Sequence, residues 1–221
     1  MSDEARRFWD ARAAEDAPHF VDDRLPQGAR DYEALFATGP EVLEAYEDRL
    51  GVSFDDLQTV VEVGCGVGRA TRALAGRVAQ VIAVDVSPQM LATARESNPG
   101  LRNVTWMLGD GASLAGISDG SADACFSHVV FQHIPDPEVT LAYVREMGRV
   151  LRPGGWAAFQ VSNDPHLHRP RPEPGTTASP YWLGSAIELV ALRQAAAGAG
   201  MEIETISGAG TQWCLVLARR A

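Results

Sequence analysis

The sequence predicts an α/β protein in which helices cover both faces of a seven-stranded, mostly parallel sheet with an antiparallel C-terminal hairpin. Short apolar runs alternate with helical patterns from residue 59 onward, which is typical of parallel strands joined by helices. Three glycines at alternate positions within 64–68 separate the first strand from the first of these helices. Two final apolar runs lack a helical pattern between them, so we expect them to pair directly as a hairpin.

The predicted elements follow one another at regular intervals. The strands are expected at 59–63, 81–84, 104–108, 124–127, 156–161, 201–206 and 212–218. The helices of the same region are expected at 69–74, 88–97, 138–150 and 185–197. Ser87 is a suitable N-cap and Pro88 occupies the first helical position after it, which fixes the start of the second helix. The turn at 153–155, with one proline and two glycines, is expected to end the third helix before the fifth strand begins.

Amphipathic helical patterns broken by prolines and a glycine occupy the beginning of the chain. We therefore predict an N-terminal helical cap segment over 1–55, which covers one edge of the sheet, and a main domain over 56–221. The proline-rich stretch 162–184 is typical either of a lid-like functional loop or of a disordered connection.

The composition is that of a globular protein. Of 221 residues, 46% are hydrophobic, and no apolar run approaches the ~20 residues that span a membrane. The N-terminus lacks a basic segment followed by an apolar stretch, so no secretory signal is expected. Cys65, Cys125 and Cys214 lie scattered in apolar segments, which is typical of reduced, buried thiols in a cytoplasmic protein.

The charge balance bears on the class of partner. The formal net charge is −10, so a phosphate backbone would be repelled on average, and no basic stripe with interleaved aromatic residues offsets this. We therefore expect a small-molecule ligand, with neither a nucleic acid nor a membrane as partner. The protein is expected to be a monomer or a homodimer.

The glycine-rich turn and the acid after it indicate a nucleotide-like ligand. Gly64, Gly66 and Gly68 leave the backbone open to a ligand at the start of a helix. Asp85 ends the next strand, where a carboxylate is well placed to bind ribose hydroxyls. The spacing does not fit the dinucleotide pattern Gly-x-Gly-x-x-Gly, because a third glycine is missing in either register.

The pattern from Glu62 to Gly68, Glu-x-Gly-x-Gly-x-Gly, resembles motif I of the class I S-adenosylmethionine-dependent methyltransferases. The resemblance continues in the right order from about residue 57 to 218, and the seven-strand pattern matches the Rossmann-like topology of that family. It implies that the main domain binds S-adenosyl-L-methionine.

The resemblance implies a role for several residues. Glu62 is expected near the methionine end of the cofactor, with a strand-end salt bridge as the alternative. Asp110 is expected to pair with the adenine amino group, with a simple Asp-Gly turn as the alternative. Met90 matches a position that packs on the adenine, and it fits a helix core equally well. The implied cofactor site comprises Trp9, Arg12, Glu62, Gly64, Cys65, Gly66, Gly68, Asp85, Val86, Met90, Gly109, Asp110, Gly111, Ala112, Ser127 and His128.

The N-terminal segment Phe8-Trp9-Asp10-Ala11-Arg12 resembles the aromatic-plus-arginine helix that lies over the cofactor in many relatives. In that case Arg12 would pair with the methionine carboxylate. A plain amphipathic helix is the alternative.

The segment 126–136 resembles the motif that follows the fourth strand and lies beside the transferred methyl group. His133 and His128 are the candidate general bases, because imidazole titrates near neutral pH. A structural role for His133 is the alternative, since relatives with different acceptors carry a histidine at this position. Magnesium, which some catechol-type relatives bind, is not expected, because Ser127-His128 stands where an acid is needed.

The predicted reaction is in-line transfer of a methyl group to an oxygen, nitrogen or carbon atom of a small molecule. A cofactor-binding protein without transferase activity, acting as a sensor or partner subunit, is the alternative. A nicotinamide-dependent oxidoreductase is a third hypothesis, and the glycine spacing argues against it.

Overall fold

The computed structural model describes residues 3–164, 166–167 and 179–221. Much of the predicted lid-like stretch, namely residues 165 and 168–178, lies outside these described residues. The chain divides into two compact units, which are residues 1–111 and residues 112–221.

Helices and strands alternate along the described chain. The strands are β1 (Thr59–Val63), β2 (Gln80–Asp85), β3 (Val104–Leu108), β4 (Ala122–Ser127), β5 (Leu151–Val161), β6 (Met201–Ser207) and β7 (Cys214–Arg220). The helices are α1 (Asp3–Val21), α2 (Tyr32–Ala37), α3 (Gly39–Leu50), α4 (Arg69–Ala75), α5 (Pro88–Ser97), α6 (Pro137–Val150), α7 (Pro180–Leu183) and α8 (Leu189–Gly198). A single turn of 3₁₀ helix spans Phe131–His133.

The strands form one seven-stranded sheet in the order β3-β2-β1-β4-β5-β7-β6. Strand β2 pairs in parallel with both β1 and β3, and β4 pairs in parallel with β5. Strand β7 is antiparallel to its neighbours β5 and β6. This order confirms the predicted Rossmann-like sheet with its C-terminal hairpin.

In the first unit, the N-terminal helices pack mainly on the helices that flank the glycine-rich turn. Helix α1 packs against α5, and both α2 and α3 pack against α4. Helix α1 does not end at Pro18. It kinks at Asp16, where φ is −164° and ψ is 80°, and continues to Val21. A proline removes one helical hydrogen bond and crowds the preceding turn, so a kink near Pro18 is the expected result.

In the second unit, several predicted boundaries are wrong. Strand β4 begins at Ala122 and not at residue 124, and β7 spans Cys214–Arg220 and not 212–218. The starts of β5 and α8 differ most. Strand β5 begins at Leu151, because residues 152–155 bulge out between the pairs Ala122–Leu151 and Ala124–Trp156 instead of standing before the strand. Helix α8 begins at Leu189 and not at residue 185. Residues 184–188 are not helical, Glu188 is extended, and the Ile187 amide donates to the Ser162 carbonyl at 2.8 Å.

Within the described ranges, no helix is both long enough and apolar enough to cross a membrane.

Candidate functional site

The glycine-rich turn is hydrogen-bonded to the end of β2. The amides of Gly64 and Cys65 both donate to the Val84 carbonyl, at 2.8 and 3.0 Å. The Gly66 amide donates to Oδ2 of Asp85 at 2.8 Å. Gly64, Gly66 and Gly68 have φ values of 74°, 54° and 95°, a region that favours glycine. The structure therefore brings together the glycines and the acid that the sequence pairs.

Asp85 is held by backbone donors on both carboxylate oxygens. Its Oδ1 accepts from the Ser87 amide at 2.8 Å, while Oδ2 accepts from Gly66. Burial raises the pKa of Asp85, and the hydrogen bonds from Ser87, Gly66 and Val86 act in the opposite direction. Each carboxylate oxygen can accept a second hydrogen bond, so a fixed carboxylate of this kind suits a pair of neighbouring hydroxyl groups.

Gly68 is constrained by packing as well as by its backbone angle. A Cβ atom at this position would lie 2.9 Å from the ring of Trp106 and 3.1 Å from Nδ2 of Asn98. The Asn98 amide in turn donates to the carbonyls of Val67 and Ala94, at 3.3 and 2.9 Å. Sequence reasoning missed Trp106 and Asn98, since nothing local to either residue links it to the glycine turn.

Glu62 is buried and bonded to a hydroxyl, and among the described residues it forms no salt bridge of the kind considered from the sequence. Its Oε2 accepts from Oγ1 of Thr71 at 2.5 Å. Burial raises the pKa of Glu62 to about 7, although the Thr71 hydrogen bond and the charge of Arg69 lower it. Arg69 pairs instead with Asp22, at 3.1 Å between Nη1 and Oδ2. Thr71 is a further residue that sequence reasoning missed.

Helix α1 is hydrogen-bonded to the segment that follows Asp85. Oδ1 of Asp10 accepts from the Ser87 hydroxyl at 2.5 Å and from the Gln89 amide at 3.2 Å. The Val86 carbonyl accepts from Nε of Arg6 at 3.3 Å. Asp10 and Arg6 were not singled out from the sequence, although both lie within the amphipathic pattern of the helix.

An apolar cluster joins α1 to the glycine turn and to α5. Its buried members are Ala13, Ala17, Leu35, Val67 and Met90, with Trp9, Val21, Leu25 and Tyr32 packed against them. Met90 is 2% exposed, so in this structure it occupies the helix core, the second of its two expected places. Val21 covers the turn, since its Cγ2 lies 3.4 Å from the position of a Cβ on Gly66.

Arg12 lies between two aromatic rings of its own segment. Its guanidinium carbon is 5.4 Å from the ring centre of Phe8 and 4.8 Å from that of Phe20. Nη2 pairs with Glu15 at 3.1 Å, whereas the buried Nε has no hydrogen-bond partner within the part of the chain that the structure describes. This side chain therefore retains donor capacity for an anionic group.

The turn after β3 carries the candidate adenine contacts. The Gly109 amide donates to the Asp85 carbonyl at 2.9 Å, and a Cβ on Gly109 would lie 2.9 Å from Val84. Asp110 is exposed directly after the strand, and Gly111 has a φ of 79°. Ala112, the last residue predicted here, is half-buried and belongs to the second unit.

The second unit carries the residues predicted to follow the fourth strand. Ser127 ends β4 fully buried, and His128 is half-buried. Val129 has a φ of 57°, which is unusual for a β-branched residue. His133 lies on the 3₁₀ turn, with Nδ1 3.2 Å from the Trp182 carbonyl and Nε2 3.3 Å from Nε2 of Gln132.

The three cysteines are buried and free of disulfides. Burial raises the pKa of the Cys65 thiol well above its usual value, so Cys65 lines the glycine turn as a neutral group. Among the described residues, no three His, Cys, Asp or Glu side chains are grouped so as to hold a metal ion.

Comparison with known proteins identifies the region that contains both sets of residues. Residues 61–159 match the profile of a protein family described as a methyltransferase domain. This stretch begins in β1 and ends in β5, so it includes the glycine turn, Asp85 and the segment after β4.

Two curated relatives are similar over part of the chain. The trans-aconitate 2-methyltransferase of Azoarcus sp. (strain BH72) is 37% identical over 133 residues, which are 58% of this chain and 49% of the relative. The ubiquinone biosynthesis O-methyltransferase of Xanthomonas oryzae pv. oryzae (strain PXO99A) is 31% identical over 154 residues, which are 68% of this chain and 54% of the relative. The matched part is thus about half the length of these relatives.

The fold is also found in solved structures. Phosphoethanolamine N-methyltransferase 1 of Haemonchus contortus, solved with phosphoethanolamine and S-adenosylhomocysteine, superposes with a TM-score of 0.70. The match covers 98% of this chain and 48% of that protein, at 18% identity. At this identity the likeness concerns the fold.

Proposed function

Because residues 61–159 form a methyltransferase domain of the S-adenosylmethionine-dependent class, as the sequence predicted, we propose that this protein transfers a methyl group from S-adenosylmethionine to a small molecule. The observation that carries the proposal is the Gly66–Asp85 contact, in which a glycine-turn amide orients a strand-end carboxylate. A fixed carboxylate beside an open glycine backbone suits a nucleoside with free ribose hydroxyls.

The residues of the first unit fit the proposed cofactor. Asp85 would bind the ribose hydroxyls, and the turn from Gly64 to Gly68 would approach the methionine part. Arg12, with a buried Nε that has donor capacity, would serve the carboxylate. Asp110 would accept from the adenine amino group. When bound, the cofactor supplies a sulfonium methyl carbon as the electrophile.

The chain's own contribution to the reaction is alignment. The acceptor atom forms a bond to the methyl carbon as the bond to sulfur breaks, and the electron pair of that bond leaves with sulfur. Positioning two reactants in this way can supply about 7–11 kcal/mol of the barrier. A base is needed only where the acceptor atom still carries a proton at neutral pH.

A small-molecule acceptor is supported by the relatives and by the charge of the chain. The two curated relatives carry names that refer to trans-aconitate and to ubiquinone biosynthesis, which are small-molecule chemistry. The net charge of −10 disfavours a nucleic acid as acceptor. We further propose a cytoplasmic protein that acts as a monomer or homodimer, in keeping with its three buried cysteine thiols.

The proposal is tested with isotopically labelled S-adenosylmethionine and a small-molecule extract of the host. Asp85→Ala is the blank, and Asp48→Ala, which removes an exposed carboxylate in α3, is the matched control. We expect a labelled product with the unaltered protein and with the control, and none with the blank. Mass-spectrometric fragmentation of the product then identifies the methylated atom.

Binding of S-adenosylhomocysteine separates the competing functions. Tight binding without a labelled product from any extract would favour a sensor or partner subunit without transferase activity. Absence of binding by the unaltered protein, measured by calorimetry, would overturn the proposed function.

A further inference from the structure

Two glutamine side-chain amides form a hydrogen-bond network, the amide network, in the second unit. It starts at Gln160, a fully buried residue of β5. Oε1 of Gln160 accepts from the Val129 amide at 3.2 Å, and its Nε2 donates to Oε1 of Gln132 at 2.9 Å. The same Nε2 also donates to the carbonyl of Gln212, just before β7. Gln132 then contacts His133, which contacts the carbonyl of Trp182.

The Val129 amide and the Gln212 carbonyl both bond to Gln160, and together they fix the donor-to-acceptor direction of the amide network. The Val129 amide can only donate and the Gln212 carbonyl can only accept, so Gln160 fits in one orientation. Its NH₂ group must therefore face the oxygen of Gln132. That places the NH₂ group of Gln132 against Nε2 of His133, at 3.3 Å.

The donor-to-acceptor direction of the amide network determines which ring nitrogen of His133 carries the proton. Nε2 faces a donor, so it must accept, and a neutral imidazole then has its proton on Nδ1. Nδ1 faces the Trp182 carbonyl at 3.2 Å, which can only accept. A proton on Nε2 would put two donors face to face, and turning Gln132 or Gln160 would only move that conflict to the next pair.

We propose that Gln160 and Gln132 are positioning residues that hold His133 as the neutral Nδ1–H tautomer. The lone pair of Nε2 is used by Gln132, so His133 does not remove a proton from the acceptor. His133 instead acts as a positioning residue for the segment that contains Trp182. The consequence for methyl transfer rests on the proposed function, whereas the tautomer does not.

Three further contacts support the positioning role of His133. The rings of His133 and Trp182 lie 5.4 Å apart, and the Ser185 hydroxyl donates to the Ile134 carbonyl at 2.7 Å. A Cβ on Gly184 would clash with the carbonyl oxygen of Gln132, so the chain approaches the 3₁₀ turn closely there. Residues 182–184, the end of the predicted lid-like stretch, and the adjacent Ser185 thus contact the turn after β4.

The same amide network also bonds to a residue with a strained backbone conformation, Val129. Val129 has a φ of 57°, a conformation that is strained in a β-branched residue and persists where neighbours impose it. Its amide donates to Gln160, which is fixed by two further hydrogen bonds, to Gln132 and Gln212. Gln160 therefore links the geometry of the segment beyond Ser127 to that of His133.

The test uses ¹⁵N-histidine-labelled full-length protein without cofactor or acceptor. Ring ¹⁵N shifts distinguish protonated from unprotonated nitrogens, and His133→Gln assigns the signals of His133 by their loss. We expect a protonated Nδ1 and an unprotonated Nε2 in the unaltered protein. A protonated Nε2 with an unprotonated Nδ1 would overturn the proposal.

Replacing the neutral amide of Gln132 by a negatively charged carboxylate gives a second readout. Gln132→Glu replaces the NH₂ donor by a carboxylate oxygen, so we expect both ring nitrogens of His133 to be protonated at a pH where the unaltered protein shows one. Gln194→Glu, on the exposed side of α8, adds the same charge elsewhere and should leave the signals unchanged. Unchanged signals in Gln132→Glu would also overturn the proposal.

These measurements are independent of methyl transfer. A failed tautomer test leaves the labelled-product experiment as it stands, and a failed labelling experiment leaves the tautomer as it stands.

Discussion

The carboxylate of Asp10 accepts a hydrogen bond from the hydroxyl of Ser87 at 2.5 Å, across 77 residues of sequence. Ser87 also caps α5, because its Oγ accepts from the Met90 amide at 3.0 Å. The N-terminal helix is thereby joined to the residue that follows the Asp85–Val86 pair. The position of α1 and the geometry around Asp85 are consequently coupled.

Asp10→Ala is expected to loosen α1 and to lower the free energy of unfolding by about 1–2 kcal/mol, because a hydrogen bond to a charged group is lost. Urea unfolding measures this change, and calorimetry with S-adenosylhomocysteine should show weaker binding in the same variant. Asp23→Ala, which removes an exposed carboxylate after α1, is the control. Equal behaviour of the two variants would argue against the coupling.

Asp85→Asn tests the proposed ribose contact without removing side-chain volume. One of its two ends becomes an NH₂ group that faces the amide of Gly66 or of Ser87, so one of the two backbone bonds is lost. We expect the Kd of S-adenosylhomocysteine to rise about ten- to a hundredfold, as for the loss of a charge-assisted hydrogen bond. Asp48→Asn should bind as the unaltered protein does. An unchanged Kd for Asp85→Asn would remove this carboxylate from the proposed site.

Glu62 is expected to make stability depend on pH. Its pKa is about 7 in the folded protein and about 4.5 in the unfolded chain, with burial as the main cause. The folded state therefore binds more protons between these values, and stability is full below about pH 4.5 and falls as pH rises through 7. The loss is on the order of 3 kcal/mol.

Glu62→Gln removes the titrating group and keeps an oxygen that can accept from Thr71. We expect a flatter profile of unfolding free energy between pH 5 and 8, approximately, and higher stability than the unaltered protein at the alkaline end. Glu41→Gln, which replaces an exposed carboxylate of α3, serves as the control for a carboxylate outside the turn region. A slope that stays the same in Glu62→Gln would show that another group causes the pH dependence.

Gly68→Ala separates backbone strain from steric conflict. The new Cβ would lie 2.9 Å from the ring of Trp106, in addition to a φ of 95°. Gly28→Ala is the matched control, with a φ of 84° and nothing within 4 Å of the added atom. We expect Gly68→Ala to destabilise the fold by about 1–3 kcal/mol more than Gly28→Ala.

A smaller side chain in place of Trp106 should restore part of the stability lost in Gly68→Ala. In the double variant Gly68→Ala with Trp106→Leu, we expect the two effects on the free energy of unfolding to be less than additive, as thermal and urea unfolding can measure. Full additivity would mean that Trp106 is not what excludes a side chain at Gly68.

Local patterns predicted that the glycine turn and Asp85 lie together in the first unit. The glycines and Asp85 lie at the ends of neighbouring strands, so a short motif and the strand period suffice to bring them together. The cap at Ser87 is likewise local, and its hydrogen bond to Met90 confirms it. The exact starts of β5 and α8 were missed, because a bulge and an extended segment depend on pairing partners elsewhere in the chain.

The hydrogen bonds around His133 in the second unit depend on residues that are distant in sequence. Gln160 and Gln132 are 28 positions apart, and their contact follows from where β5 lies beside the end of β4. A glutamine in an apolar strand carries no signal of its own for such a role. The sequence identified His133 as a candidate, but it could not predict the hydrogen-bond partners that determine its protonation.

The three buried cysteines give the protein internal reporters of local opening. Cys65 lies in the glycine turn, Cys125 in β4 and Cys214 at the start of β7. A thiol reagent reaches each one only when its surroundings transiently open, so labelling rates measure the free energy of opening at three separate places. If a bound nucleoside ligand stabilises the turn, protection should rise most at Cys65. Mass spectrometry of labelled peptides would then map ligand binding without any engineered probe.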